Sequence, residues 1–216
     1  MYQNVIFDLD GTLLNTLEDL KDSTNYALAQ HGYPTRTLEE VRCFVGNGIR
    51  KLIDRAVPEG TSVEKTDKVF ATFREYYATH SRVKTSMYEG MEQVMDALKE
   101  QNISMAIVSN KADDAVKDLA KYYFAKYIDV AIGEREGISR KPAPDSVYEA
   151  MRLLGATKEN TVYVGDSDVD RATAKNAGIP CISVTWGFRS EEFLVSLEPE
   201  YLIHKPEEIL SVVTGK

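Results

Sequence analysis

The chain has 216 residues, 43% of them hydrophobic and 28% charged, with a formal net charge of −8. That length suits one core domain and a modest extra module, and the apolar content excludes a disordered chain. The acidic balance argues against a nucleic-acid partner, which would need a basic surplus, and no apolar run approaches the roughly 18–20 residues that span a bilayer.

In chain order, NVIFDL predicts a short buried strand. From about Leu17 to Arg82 the text is helical throughout. LEDLKDSTNYALAQHG predicts one helix, ended by Gly32 and Pro34, and TLEEVRCFVG a second, with Thr37 as N-cap and Glu40 at its third position. NGIRKLIDRAVPEG predicts a third and VEKTDKVFATFREYYATHS a long fourth. The pattern then changes. MEQVMDALKEQN is an amphipathic helix with Met91, Val94, Met95 and Leu98 on one face. Strand candidates ISMAIVSN, IDVAIG, TVYVGD, IPCISVTW and YLIH follow, separated by the helices ADDAVKDLAKYY, APDSVYEAMRLLG and SDVDRATAKNAG and closed by PEEILSVVTG. Strand alternating with helix predicts an α/β fold: a Rossmann-like parallel sheet with helices on both faces. A helical segment is expected to be inserted after the first strand, with residues 1–15 and 83–216 as the core and 16–82 as the insert. The N-terminus MYQNVIFDLD has no basic region before a long apolar one, so no signal peptide is expected. Cys43 and Cys181 lie far apart without C-x-x-C spacing, which reads as two reduced thiols in a cytoplasmic protein.

Parallel sheets bind ligands at the carboxyl ends of their strands, and there the sequence concentrates reactive groups. Asp8 and Asp10 end the first strand. Two carboxylates that close repel, so the site needs a cation, a shared proton or hydrogen bonds; a hard cation such as Mg²⁺ fills that role with oxygen ligands. VYVGDSDVD supplies Asp166, followed by Asp168 and Asp170; AIVSN supplies Ser109; SRKPAPD supplies Lys141, in a loop between Arg140 and two prolines. Acid, hydroxyl and ammonium groups converging on one rim suit phosphoryl transfer, in which a carboxylate attacks phosphorus and a second carboxylate moves the proton.

In order, DLDGTL, VSN, KPAPD and GDSDVD resemble the four motifs of the haloacid dehalogenase superfamily, and the helical insert resembles its small cap. FVGNGIRKLIDRAV is similar to the cap segment of phosphoglycolate phosphatase-like enzymes. The resemblance implies Asp8 as nucleophile and Asp10 as general acid and base, with its main-chain carbonyl on the metal. It implies Thr12 and Ser109 as phosphate-binding hydroxyls with the amide of Asn110 nearby. Lys141 becomes the residue steadying nucleophile and phosphate, Asp166 the direct metal ligand, and Asp170 an acid acting through a water. The metal set is thus Asp8, Asp10 and Asp166, and the metal Mg²⁺. One departure is Asn15-Thr16, where the family usually carries an aspartate before the serine or threonine. In the cap, Gly46 and Gly48 allow close backbone approach, and Arg50 or Lys51 suits a carboxylate or second phosphate on the leaving group; Gly48 and Arg50 complete the expected substrate contacts.

The expected activity is hydrolysis of a small phosphomonoester through an aspartyl phosphate, with phosphoglycolate the leading substrate and the protein a monomer or homodimer. Family members that act on carbon–halogen or carbon–phosphorus bonds lack the second aspartate, so Asp10 favours a phosphate ester or anhydride. A β-phosphoglucomutase-like phosphomutase and an inorganic pyrophosphatase would use the same acids. A repurposed binding module would be expected to have lost a motif acid, and none is lost. Asp168 reads as a solvent-facing or capping residue, and His31, His80 and His204 as surface or packing groups.

Overall fold

The computed structural model describes residues 1–46, 48–128 and 130–215. They form two compact units, Met1–Leu14 with Met87–Lys216, and Asn15–Ser86. The first begins with β1 (Asn4–Phe7), buried along its whole length, as expected of a strand covered on both faces. The chain leaves that unit through β2 (Leu14–Asn15) and returns through β3 (Ser86–Met87), which pair with each other.

Between these short strands lie α1 (Leu17–Gln30), α2 (Leu38–Phe44), α3 (Gly48–Ala56) and α4 (Val63–His80). The start of α2 is the predicted capping box: the Thr37 side chain accepts from the Glu40 amide, and Glu40 accepts from the Thr37 amide at 2.7 Å. Ser62 caps α4 more simply, its side chain accepting from the Lys65 amide. Leu20, Ala27 and Leu28 of α1, Ile53 of α3 and Val69 and Phe73 of α4 are buried, with helical spacing on each helix.

After β3 come α5 (Met91–Glu100), β4 (Ser104–Ala112), α6 (Asp113–Tyr123), β5 (Val130–Glu134), α7 (Asp145–Leu154), β6 (Thr161–Gly165), α8 (Asp168–Ala177), β7 (Cys181–Val184), α9 (Glu191–Ser196), β8 (Tyr201–Ile203) and α10 (Glu208–Thr214). The six-stranded sheet runs β5-β4-β1-β6-β7-β8, every pair parallel. Side chains alternate between its faces. Val5 and Phe7 pack with Met95 and Leu98 of α5, Val116 of α6 and Val213 of α10. Ile6 packs with Val147 and Met151 of α7 and Ala174 of α8. This is the expected α/β sheet with both faces covered. The chain winds outward from β1 in opposite directions, through β4 on one side and β6 on the other, and a ligand crevice belongs at such a switch point. The two-residue strands and α9 lie outside the sequence expectations; each is too short for a periodicity to show.

Candidate active site

β1 delivers Asp8 and Asp10 to its carboxyl end, β4 delivers Ser109, Asn110 and Lys111, and β6 delivers Asp166. The turn after β1 depends on Gly11, whose φ of +89° favours glycine. A Cβ there would also sit 2.5 Å from Asp166 Oδ2, so the residue lets two strand ends approach. Gly165 performs the second service, since a Cβ on it would lie 2.3 Å from the Asp170 Cβ.

Lys141 occupies the centre. It is 4% exposed, and its ammonium donates to Asp8 Oδ1 at 2.7 Å, Asp170 Oδ1 at 2.7 Å and the Tyr163 hydroxyl at 3.0 Å. Three donors thus meet three acceptors. Burial pulls this ammonium down, and Asp170 and Asp8 more than reverse it, holding Lys141 well above the usual lysine range. The Asn110 side chain fixes its main chain, donating to the Lys141 carbonyl at 3.0 Å and accepting from its amide at 2.8 Å. In this structure, then, the Asn110 side chain is committed to the Lys141 backbone. Tyr163, which the apolar run TVYVGD disguised as core, directs its hydroxyl toward the Val108 carbonyl at 3.2 Å, with Asp170 Oδ1 at 3.3 Å.

The acids divide into two sets. Oxygens of Asp8, Asp166 and Asp170 lie within 4.8 Å of one another, all three residues buried. Asp10 turns instead to Lys111, whose ammonium lies 2.9 Å from Oδ1 and 3.2 Å from Oδ2. Asp170 Oδ2 also accepts from the Ser167 hydroxyl at 2.6 Å and its amide at 3.1 Å, closing the capping box of α8. Asp166 accepts from the Phe188 amide at 2.7 Å and the Thr12 hydroxyl at 3.4 Å. Ser109 Oγ accepts from the Lys111 amide at 3.3 Å.

The charges do not balance. Lys141 pairs with Asp8 and Asp170, while Asp166, whose oxygens lie within 4.8 Å of theirs, feels the more distant positive charge of Arg189. Ionised together, the three carboxylates would crowd like charges in a buried place beyond what Lys141 balances. Burial pushes the Asp8 carboxyl up to about 7, with Lys141 pulling it down and Asp170 and Asp10 adding to the rise. Burial, then Asp170 and Asp8, pushes Asp166 well above the usual carboxylate range. Three buried carboxylates with oxygens this close fit a hard divalent cation.

Gly48 and Arg50 belong to the helical unit. Gly48 opens α3 with φ +84°, and Asn47 before it lies outside the described residues. Arg50 Nε donates to Asp54 at 2.7 Å, and its Nη1 also pairs with Asp67; Lys51 lies 3.7 Å from Asp54. The sequence reading did not single out Lys111 or Tyr163. The signal for Lys111 was charge arithmetic, because four motif acids faced one assigned lysine.

The chain is also similar to known proteins. The family profile described as "Haloacid dehalogenase-like hydrolase" matches residues 5–184. Phosphoglycolate phosphatase 1 of Pseudomonas aeruginosa is 32% identical over 212 residues, covering 95% of this chain and 78% of the relative. Pyrophosphatase PpaX of Halalkalibacterium halodurans is 30% identical over 215 residues, covering 98% and 97%. The crystal structure of a candidate phosphoglycolate phosphatase from Lactobacillus delbrueckii superposes with a TM-score of 0.94 at 33% identity, covering 100% of this chain and 99% of that one. Among the described residues no helix is long and apolar enough to cross a membrane. With four ordered motifs on one sheet rim and a family match over most of its length, the chain belongs to the haloacid dehalogenase-like hydrolases.

Proposed function

We propose that this protein is a phosphatase of small phosphate monoesters, working through an aspartyl phosphate on Asp8 and using Mg²⁺. One observation carries the reading: Asp8, Asp166 and Asp170 bring buried carboxylate oxygens within 4.8 Å of one another, with Lys141 paired to Asp8 and Asp170. Asp8, Asp166 and the main-chain carbonyl of Asp10 would hold the ion beside Asp170, and its charge would offset that of the phosphate. Asp8 attacks phosphorus while the bond to the leaving alcohol breaks, and Asp10 gives that oxygen a proton. Asp10 then takes a proton from water. That water attacks the phosphorus of the aspartyl phosphate, releasing phosphate and restoring Asp8. Lys141 orients Asp8 throughout, and Thr12 and Ser109 hold phosphate oxygens. Gly48 and Arg50 of the helical unit are assigned to the leaving group on resemblance.

Phosphoglycolate is the first substrate to test, given the relatives that bear its name. Inorganic pyrophosphate is the second reading, because pyrophosphatase relatives reach comparable identity over nearly their whole length. Purified protein with Mg²⁺ is expected to release phosphate from p-nitrophenyl phosphate, and faster from one of these two. Asp8→Asn is expected to lose activity by on the order of 10³-fold or more while remaining folded. Substantial residual turnover in that variant would remove Asp8 from the nucleophile role.

A further inference from the structure

Lys111 is as buried as Lys141, each 4% exposed, yet it stands apart from the acids around Lys141. Its ammonium bridges both oxygens of Asp10. The strand is shaped to place it there. The β4–β5 register shifts between Val108 and Ala112, and such an irregularity re-aims the side chains it contains. Gly133 of β5 holds the backbone in place, since a Cβ there would lie 2.6 Å from the Lys111 carbonyl oxygen and 2.5 Å from the Asp113 Cα.

On the reading of the reaction given above, on which this inference rests, the Asp10 carboxylate reaches the leaving-group oxygen. A group hydrogen-bonded to both Asp10 oxygens then stands two hydrogen-bond lengths from that atom, about 5–6 Å. A negative group one or two bonds beyond the leaving oxygen falls within reach of it. A substrate oxygen that takes the place of one of the present partners of Lys111 would share its ammonium with Asp10. A charge-assisted bond in a place nearly closed to water discriminates strongly.

We propose that Lys111 reads a second negative charge on the leaving side of the substrate, selecting phosphate compounds whose leaving group carries a carboxylate or phosphate within two carbons of the scissile bond. Simple alkyl esters lack that group and lose the contact. Lys111 is then a specificity residue as well as the partner of Asp10.

The test compares 2-phosphoglycolate, inorganic pyrophosphate and ethyl phosphate. For the wild-type protein, kcat/KM is expected to favour at least one of the first two over ethyl phosphate by about 10- to 100-fold. Lys111→Met is expected to erase most of that preference, chiefly through KM, and Lys111→Arg to restore part of it. Preference for phosphoglycolate identifies a carboxylate reader, and preference for pyrophosphate a phosphate reader. An equal fractional loss on all three substrates would overturn the proposal, because Lys111 would then act through Asp10 alone. So would a wild-type protein that does not distinguish them, a result needing no folded variant. Calorimetric binding of the same compounds to Asp8→Asn, with and without Lys111→Met, reads the preference without turnover. It therefore separates failure of this proposal from failure of the reaction assignment.

Discussion

The two units each bury a carboxylate almost completely, and they treat it in opposite ways. Asp19 of the helical unit is 2% exposed. It accepts from the Lys84 amide at 2.9 Å, the Thr85 amide at 2.9 Å and the Thr85 hydroxyl at 2.8 Å. Asp166 of the sheet unit, also 2% exposed, has one short bond from the Phe188 amide and a long contact from Thr12, with two further acids within 4.8 Å. Burial therefore does not separate these two acids, but their partners do: Asp19 is satisfied by the chain that folds around it, and Asp166 lies among further carboxylates whose charge a cation would offset.

The largest expected effect follows from that contrast. Asp166→Ala should lower Mg²⁺-dependent phosphate release by on the order of 10³-fold. In ion-free buffer it should melt within a few degrees of wild type, because relief of the like-charge crowding with Asp8 and Asp170 offsets the stranded Phe188 amide. Added Mg²⁺ should raise the wild-type Tm and leave that of the variant unmoved. A variant that loses stability in EDTA would break the comparison, making Asp166 a structural acid like Asp19. Next in size is Asp19→Ala, which strands two backbone amides and a hydroxyl. It should cost about 2–4 kcal/mol and lower Tm by roughly 5–10 °C with or without Mg²⁺.

The sequence displayed the sheet unit and the helices better than the contacts between strand ends. Apolar runs and capping residues are local, so β1, β6 and the box at Thr37 could be read directly. Strand order is not local. Lys111 meets Asp10 only because β4 lies beside β1, and Tyr163 meets Lys141 only because β6 lies on its other side. Asp19 was legible as a first-turn acid of a helix, whereas its bonds to Lys84 and Thr85 span more than sixty residues. The motif residues were visible through their family resemblance; how each spends its hydrogen bonds was not.

A third effect concerns pH in ion-free buffer. The Asp8 carboxyl lies at about 7 in the folded protein against 3.8 ordinarily. Between those values the folded chain keeps a proton that the unfolded chain has lost, so stability falls as pH rises through the window and levels off above 7. Asp166 shifts in the same direction. Melting in EDTA is expected to give a Tm roughly 5–10 °C lower at pH 7.5 than at pH 5, and Asp8→Asn should flatten that slope. A wild-type Tm that climbs from pH 5 to 7.5 would mean the buried acids are compensated without a cation.

The smallest effect on stability is expected at Arg50, where the helical unit shows how ordinary charges behave. Its side chain is 35% exposed, and its guanidinium pairs with Asp54 at 2.7 Å and also with Asp67 and stands 5.7 Å from the centre of the Phe70 ring. Exposed pairs of this kind contribute little, because water already solvates both partners. Arg50→Ala should therefore shift Tm by less than about 2 °C. Its kinetics decide whether the residue does more than brace the surface. A guanidinium has five N–H donors, so pairing with Asp54 and Asp67 leaves capacity for a substrate oxygen. A substrate contact predicts a KM raised about 3- to 10-fold for 2-phosphoglycolate with kcat within twofold, the mark of a group that binds ground and transition states alike. An unchanged KM would leave recognition of the leaving group to Lys111 and confine Arg50 to its two aspartates.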